Sequence, residues 1–198
     1  MQTSDTTPHA VADEVDQRYA SSPRIIRLEE GRPCVVNDTW RIVRDVEAAT
    51  ALVEVGASAV ERTLLPVDVY LSMRDIHADA LRHAGAWIAP EADFEAWAEH
   101  LLDAPVIAID FPSFRDGRGL SIAVMLRTRY GYRGELRAIG DVLRDQLEYM
   151  RRCGFDAFCV RADKNIDDAI KGFSELTVRY QGMVGDPTPL FRRRDRAV

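Results

Sequence analysis

From Leu65 onward, short apolar runs alternate with segments long enough to cross back over them. That alternation constrains the fold more than any other feature of the chain. Antiparallel strands can be joined by a two-residue turn, whereas parallel strands need a crossover of a dozen residues or more, usually a helix. The spacing predicts strands over Val67–Leu71, Ala86–Ala89, Val106–Ile109, Leu136–Ile139 and Ala157–Val160. Helices are expected over Asp75–His83, Ala92–Leu102, Leu120–Tyr130, Asp141–Arg152 and Ile166–Tyr180. Gly85, Gly131 and Gly154 serve as stops, and Asp141 as an N-cap. About five βα units of this kind make an α/β domain with a largely parallel sheet, either open and twisted or an incomplete barrel.

Upstream, Arg24–Arg44 alternates apolar and polar residues around a turn at Glu30–Pro33, which predicts an N-terminal β-hairpin. Asp45–Arg62, rich in Ala, Val and Glu, reads as a helix or an irregular connector. Residues 1–22 hold no sustained period and are expected to form a mobile arm. Residues 23–184 then make one domain, which suits a chain of 198 residues. Residues 185–198, with two prolines and the run Arg192-Arg193-Arg194, read as a basic tail. No apolar run approaches the length that spans a bilayer, and the first 22 residues lack the pattern of a secretory signal. Cys34, Cys153 and Cys159 form neither a C-x-x-C pair nor an even-numbered framework. A cytoplasmic protein without a membrane partner is the expectation.

A net charge of −6 argues against nucleic acid as a partner. The distribution says more than the sum. Asp110–Arg161 carries ten arginines against seven acids, so this stretch is +3 and the remainder −9. Lys164 and Lys171 are the lysines among 26 basic residues. GC-rich coding is the first account of such a bias, and forked guanidinium groups also suit oxyanions and carboxylates.

Ligands of parallel α/β sheets sit beyond the carboxyl ends of the strands. That rule selects the loop Asp110–Gly119, which leaves a buried strand and opens a helix near Ser121. Its glycines allow close backbone approach, and the free N–H groups of a helix start attract anions. Arg115, Arg118, Ser121, Arg137 and Arg144 are therefore candidate anion-binding residues, and Asp116 and Asp141 candidate catalytic acid/base groups. Each has a structural alternative. Asp116 and the neighbouring arginines can close the loop as a local ion-paired turn. An N-capping Asp141 is worth about 1 kcal/mol. Arg144 and Glu148, like Glu148 and Arg152, stand at i,i+4 helix spacing. Strand phase also puts Asp110, Arg137 and Arg161 on one face if the strands are in register, as an internal ion network or the floor of a site. The histidines and cysteines match no metal-ligand spacing, and no Gly-rich nucleotide loop is visible, so no metal site and no cofactor is expected.

The segment Phe111–Phe158 resembles a known family. Phe111-Pro112-Ser113-Phe114-Arg115-Asp116-Gly117-Arg118-Gly119 with Ser121 is similar to its F-P-x-F-x-D-G-R-G-x-S block. Leu126-Arg127, Tyr130-Gly131-Tyr132, Gly134–Ala138, Gly140–Gln146 and Cys153–Phe158 continue it. This is the pattern of the bacterial family termed domain of unknown function 934. Leu120 stands where that pattern has an aromatic residue, and upstream only fragments agree, such as Asp38-x-Trp40 and Leu65-Pro66. The resemblance implies an oxidoreductase or accessory protein of assimilatory sulfite reduction, an association that rests on neighbouring sulfite/nitrite reductase genes. With no redox site visible, the expectation is an accessory protein that binds a small oxyanion or docks onto sulfite or nitrite reductase. An independent enzyme acting on an anionic substrate and a structural subunit are the alternatives, and catalysis is left open. A cavity where the named groups converge marks the enzyme, and an exposed patch beside the motif marks the docking protein. A fully paired motif marks the structural subunit.

Overall fold

The computed structural model describes residues 23–174 and 180–193. The expected N-terminal arm, the end of the expected final helix at 175–179 and residues 194–198 of the expected tail lie outside the described residues.

Strands β1 (Arg24–Glu29) and β2 (Arg32–Asn37) form the expected antiparallel hairpin. Its turn is Glu30-Gly31, both at positive φ (49° and 79°), the geometry whose twist matches that of paired strands. The second half of the expected hairpin splits here. Arg41–Ile42 is a separate strand, β3, pairing in parallel with β4 (Thr63–Pro66). Between them lie helices α1 (Val46–Val55), capped by the Asp45 carboxylate on the Ala48 N–H, and α2 (Ala57–Val60).

The strand expected over Val67–Leu71 is instead helix α3 (Val67–Met73). Pro66 ends β4 with its fixed φ, and the chain turns into a helix that buries Val67, Val69 and Tyr70. There follow α4 (Ala78–Leu81), β5 (Gly85–Ile88) and two 3-10 turns, Phe94–Ala96 and Ala98–Leu101, in place of one helix. Strand β6 (Val106–Phe111), helix α5 (Arg118–Thr128) and strand β7 (Glu135–Gly140) come next. A 3-10 turn at Arg144–Gln146 leads into α6 (Leu147–Cys153), closed by Gly154 in the left-handed region. Strand β8 (Ala157–Phe158), α7 (Ile166–Ala169), a 3-10 stretch at Ile170–Ser174 and α8 (Leu190–Arg193) complete the order. Among the described residues no helix is long and apolar enough to cross a membrane.

All eight strands belong to one sheet, ordered β2-β1-β8-β7-β6-β5-β4-β3. Strands β3 to β8 are parallel and neighbour one another in chain order, but the hairpin joins antiparallel through β1 to the open edge of β8. The sheet is thus mixed, not largely parallel: after β8 no crossover supplies another parallel partner, and β1 covers the edge that would otherwise be bare. The two edge strands, β2 and β3, are separated by only Asp38–Trp40. A flat sheet of eight strands would set its edges about 33 Å apart. Four Cα steps reach at most about 15 Å. The connection forces the sheet to curl into an open half-barrel.

Crossovers of one hand put the helices on the convex face. There the larger core collects Ile107, Ile109, Phe111, Leu136, Ala138 and Phe158 against Ile122, Leu126, Leu147 and Met150. The concave face is a smaller core of Leu64, Val106, Ala108 and Ile139, packed by Trp40, Ile42, Trp87 and Cys159. Arg137 lies among them, 0% exposed. Its Nη1 donates to both Asp38 oxygens (2.9 and 3.0 Å), and Nε and Nη2 donate to Glu135 Oε1 (2.9 and 2.7 Å). Arg27 reaches the other Glu135 oxygen at 3.1 Å. Buried charge is tolerated in such a place because every formal charge has a partner.

Candidate functional site

The loop from β6 to α5 is built by its own residues first. Ser113 O accepts the Asp116 N–H at 2.9 Å, tightening the turn. The Asp116 carboxylate accepts the Arg118 backbone N–H (3.1 Å), Arg118 Nε (3.0 and 3.1 Å) and Arg118 Nη2 (2.6 Å). The Arg118 side chain holds the Asp116 carboxyl below its usual range. Arg118 also lies 3.8 Å from Glu91 on the preceding loop. Gly119 lets α5 seat directly on the sheet, since a Cβ there would come 2.8 Å from Ile109 Cγ2 and 2.9 Å from Phe111 Cζ.

The next loop supports the first from beneath. Gly140 ends β7 at φ +91°, where a Cβ would collide with Phe111 O and stand 2.7 Å from Asp110 Oδ1. This turn brings Asp141 under Phe114, and Asp141 N–H donates to Phe111 O at 2.7 Å. Asp141 Oδ2 accepts the Phe114 N–H (2.9 Å), and Oδ1 accepts Arg161 Nη1 (2.9 Å). Gln146 Nε2 donates to Phe114 O (2.7 Å), while its Oε1 accepts the Leu143 N–H (3.2 Å). Both backbone groups of Phe114 are therefore fixed by side chains of another loop. The residue nevertheless stands 44% exposed, with the Arg115 guanidinium 5.4 Å from its ring centroid. Arg161 in turn is braced by Asp163 (2.6 and 3.0 Å), and the Arg161 side chain, then Lys164, hold the Asp163 carboxyl down at about 2.

Asp116 and Arg118 thus meet as a local ion-paired turn, Arg115 lies on the Phe114 ring, and Asp141 supports the tip instead of capping a helix. Asp141 is 5% exposed with both carboxylate oxygens engaged. The loop opens α5 as expected, and Ser121 lies exposed in the first turn of that helix. Arg144 pairs with Asp168 at 2.8 Å in a neighbouring cleft. Arg137 is in the half-barrel interior, where an outside anion would have to displace Asp38 and Glu135. Asp110, Arg137 and Arg161 do not form one cluster: Asp110 pairs with Arg44 at 3.1 Å, and Arg161 with Asp141 and Asp163. The sequence reading missed Phe114 as the tip, Gln146 as its support and the Arg161–Asp163 brace. An aromatic residue inside an otherwise polar loop was the available signal for the first; the others carried none.

The opposite ends of the same strands hold a second constellation. Arg127 Nε donates to Gly154 O (2.9 Å), its Nη1 to Tyr132 O (2.8 Å) and Gly134 O (2.9 Å), and its Nη2 to the Asp156 carboxylate. Asp156 Oδ2 also accepts the Leu136 N–H at 2.9 Å. The Tyr132 hydroxyl donates to Ala104 O (3.0 Å) and lies 3.2 Å from Glu135 O, and burial pushes its pKa up.

A family model described as bacterial protein of unknown function (DUF934) matches residues 85–191, more than half of the chain, and spans both constellations. No curated protein matches the sequence.

Proposed function

The chain belongs to the bacterial DUF934 family, and on that premise we propose that it is an accessory protein of assimilatory sulfite reduction that docks onto a sulfite reductase through the Phe114–Arg115 tip. One observation carries this reading: an exposed aromatic ring whose own backbone N–H and C=O are both tied down by buried or partly buried side chains. Folding gains little from fixing a ring that stays in water. Binding gains from it, because an anchor already held in place loses less entropy on association, and aromatic and arginine side chains are the usual anchors of interfaces. The tip lies at the carboxyl ends of the strands, the end of such sheets at which ligands and partners are met.

The enzyme alternative asks Asp116 or Asp141 to move protons. Asp116 is held below the usual carboxylate range by Arg118, which suits an ion pair better than a general acid near neutral pH. Asp141 holds Phe114 and Arg161 with its two oxygens.

The test is affinity capture from the native host grown on sulfate, using wild type, Phe114→Ala and Arg115→Ala as baits, with mass spectrometry of what is retained. Wild type should retain a sulfite reductase and Phe114→Ala should lose it, while Phe114→Ala unfolds within about 0.5 kcal/mol of wild type, as exposed substitutions do. Absence of a reductase on the wild-type bait, or equal retention by Phe114→Ala, contradicts the reading.

A further inference from the structure

The carboxyl ends of β7 and β8 enclose a cleft of about 330 Å³, lined by Leu143, Arg144 and Asp145 on one wall and by Lys164, Asn165, Asp168 and Ala169 on the other. The walls are stitched to each other around it. Arg161 N–H donates to Val142 O at 3.1 Å, and Arg144 Nη1 to Asp168 Oδ2 at 2.8 Å, while Lys171 Nζ donates to Asp168 Oδ1 at 3.2 Å. Arg144 is also fixed along its stem: the bare Cα of Gly172 lies so close that a Cβ would stand 2.5 Å from Arg144 O and 3.1 Å from its Cγ. Lys164 is positioned by Asp163 at 3.1 Å. Asp145 forms no ion pair among the described residues.

The lining combines two cations, two carboxylates, one amide and two apolar side chains in a space of small-molecule size. A simple anion entering it meets Asp145 and Asp168 as well as the cations, and a simple cation meets Arg144 and Lys164. A zwitterion satisfies both signs at once, which is how charge placement rejects the wrong ligand. We propose that this cleft binds a free α-amino acid with an uncharged side chain. Its carboxylate faces Arg144 and Lys164, its ammonium faces Asp145, and its side chain rests on Leu143 and Ala169. The site is separate from the Phe114 tip, although both border the Arg144–Gln146 turn.

Thermal unfolding of the full chain with an equimolar mixture of uncharged-side-chain L-amino acids tests it, followed by calorimetric titration of whichever members shift the transition. The melting temperature should rise with the mixture and stay unchanged with the corresponding decarboxylated amines. Lys164→Gln should weaken binding about tenfold, the size of one lost charge-assisted hydrogen bond. No shift with the amino acids, an equal shift with the amines, or wild-type affinity in Lys164→Gln overturns the proposal. Should Lys164→Gln lack the wild-type circular dichroism spectrum, Asp145→Asn puts the same question from the ammonium side. Capture of a reductase by Asp145→Asn is expected to match wild type, which separates this test from the docking one.

Discussion

At the amino ends of β7 and β8, Arg127, its side chain 11% exposed, gathers three carbonyls and a carboxylate that all belong to the chain's own framework. At the carboxyl ends, Asp141 and Gln146 use the same kind of side-chain-to-backbone bond to hold Phe114, a residue that is 44% exposed. Similar chemistry thus serves different purposes at the two ends. The Arg127 knot brings together Leu126-Arg127, Tyr130-Gly131-Tyr132, Gly134 and Cys153–Asp156: they are its donors, its acceptors and the turns that deliver them. The Asp141 knot supports a feature the fold does not require. In barrels built from parallel strands, the amino ends serve stability and the carboxyl ends serve function, and the docking tip proposed above lies at the carboxyl ends.

The strongest attempt to break that comparison is Arg127→Ala. It strips partners from the carbonyls of Tyr132, Gly134 and Gly154 and leaves Asp156 without its cation, so a loss of about 3–5 kcal/mol is expected in urea unfolding. A loss no larger than that of an ordinary surface substitution would show the amino-end knot to be decoration and remove the contrast.

How far this division was legible in the sequence depends on the range of each interaction. Val106–Ile109 and Leu136–Ile139 stood out as short apolar runs because both faces of those strands are covered. Glu30-Gly31 marked the hairpin turn for a purely local reason. β4 was misplaced by a few residues because the β-branched run after Pro66 looks like a strand, while tertiary packing makes it a helix. The mixed sheet was not legible, since the antiparallel pairing of β1 with β8 joins segments more than a hundred residues apart. The Asp116–Arg118 turn could be read because its partners are two residues apart. Asp141 could not: its partner is the N–H of Phe114, 27 positions earlier on another loop, and that contact exists only once β6 and β7 lie side by side.

Acid sharpens the comparison with a smaller effect. Asp163, which braces Arg161 beneath the tip, is held from its ordinary 3.8 down to about 2. A carboxyl whose folded pKa is depressed contributes stability above its unfolded pKa and loses it as pH falls through the folded value. Asp116 and Asp168 are lowered in the same direction by Arg118 and Arg144. Urea midpoints measured from about pH 5 to about pH 2 should therefore fall, and Asp163→Asn should flatten part of that fall. An unchanged slope in the variant would mean that the Arg161–Asp163 brace adds nothing to the carboxyl end.

The account rests on Phe114 being held rigid while its ring is exposed, and amide hydrogen exchange at Phe114 reads this directly. The Phe114 N–H, bonded to Asp141 at 2.9 Å, should exchange slowly in wild type for a loop residue. Asp141→Asn, which replaces a charged acceptor with a weaker one, should speed that exchange about tenfold. Exchange in wild type at the rate of an unprotected peptide would contradict the account, because the tip would then have no fixed form to present to a partner.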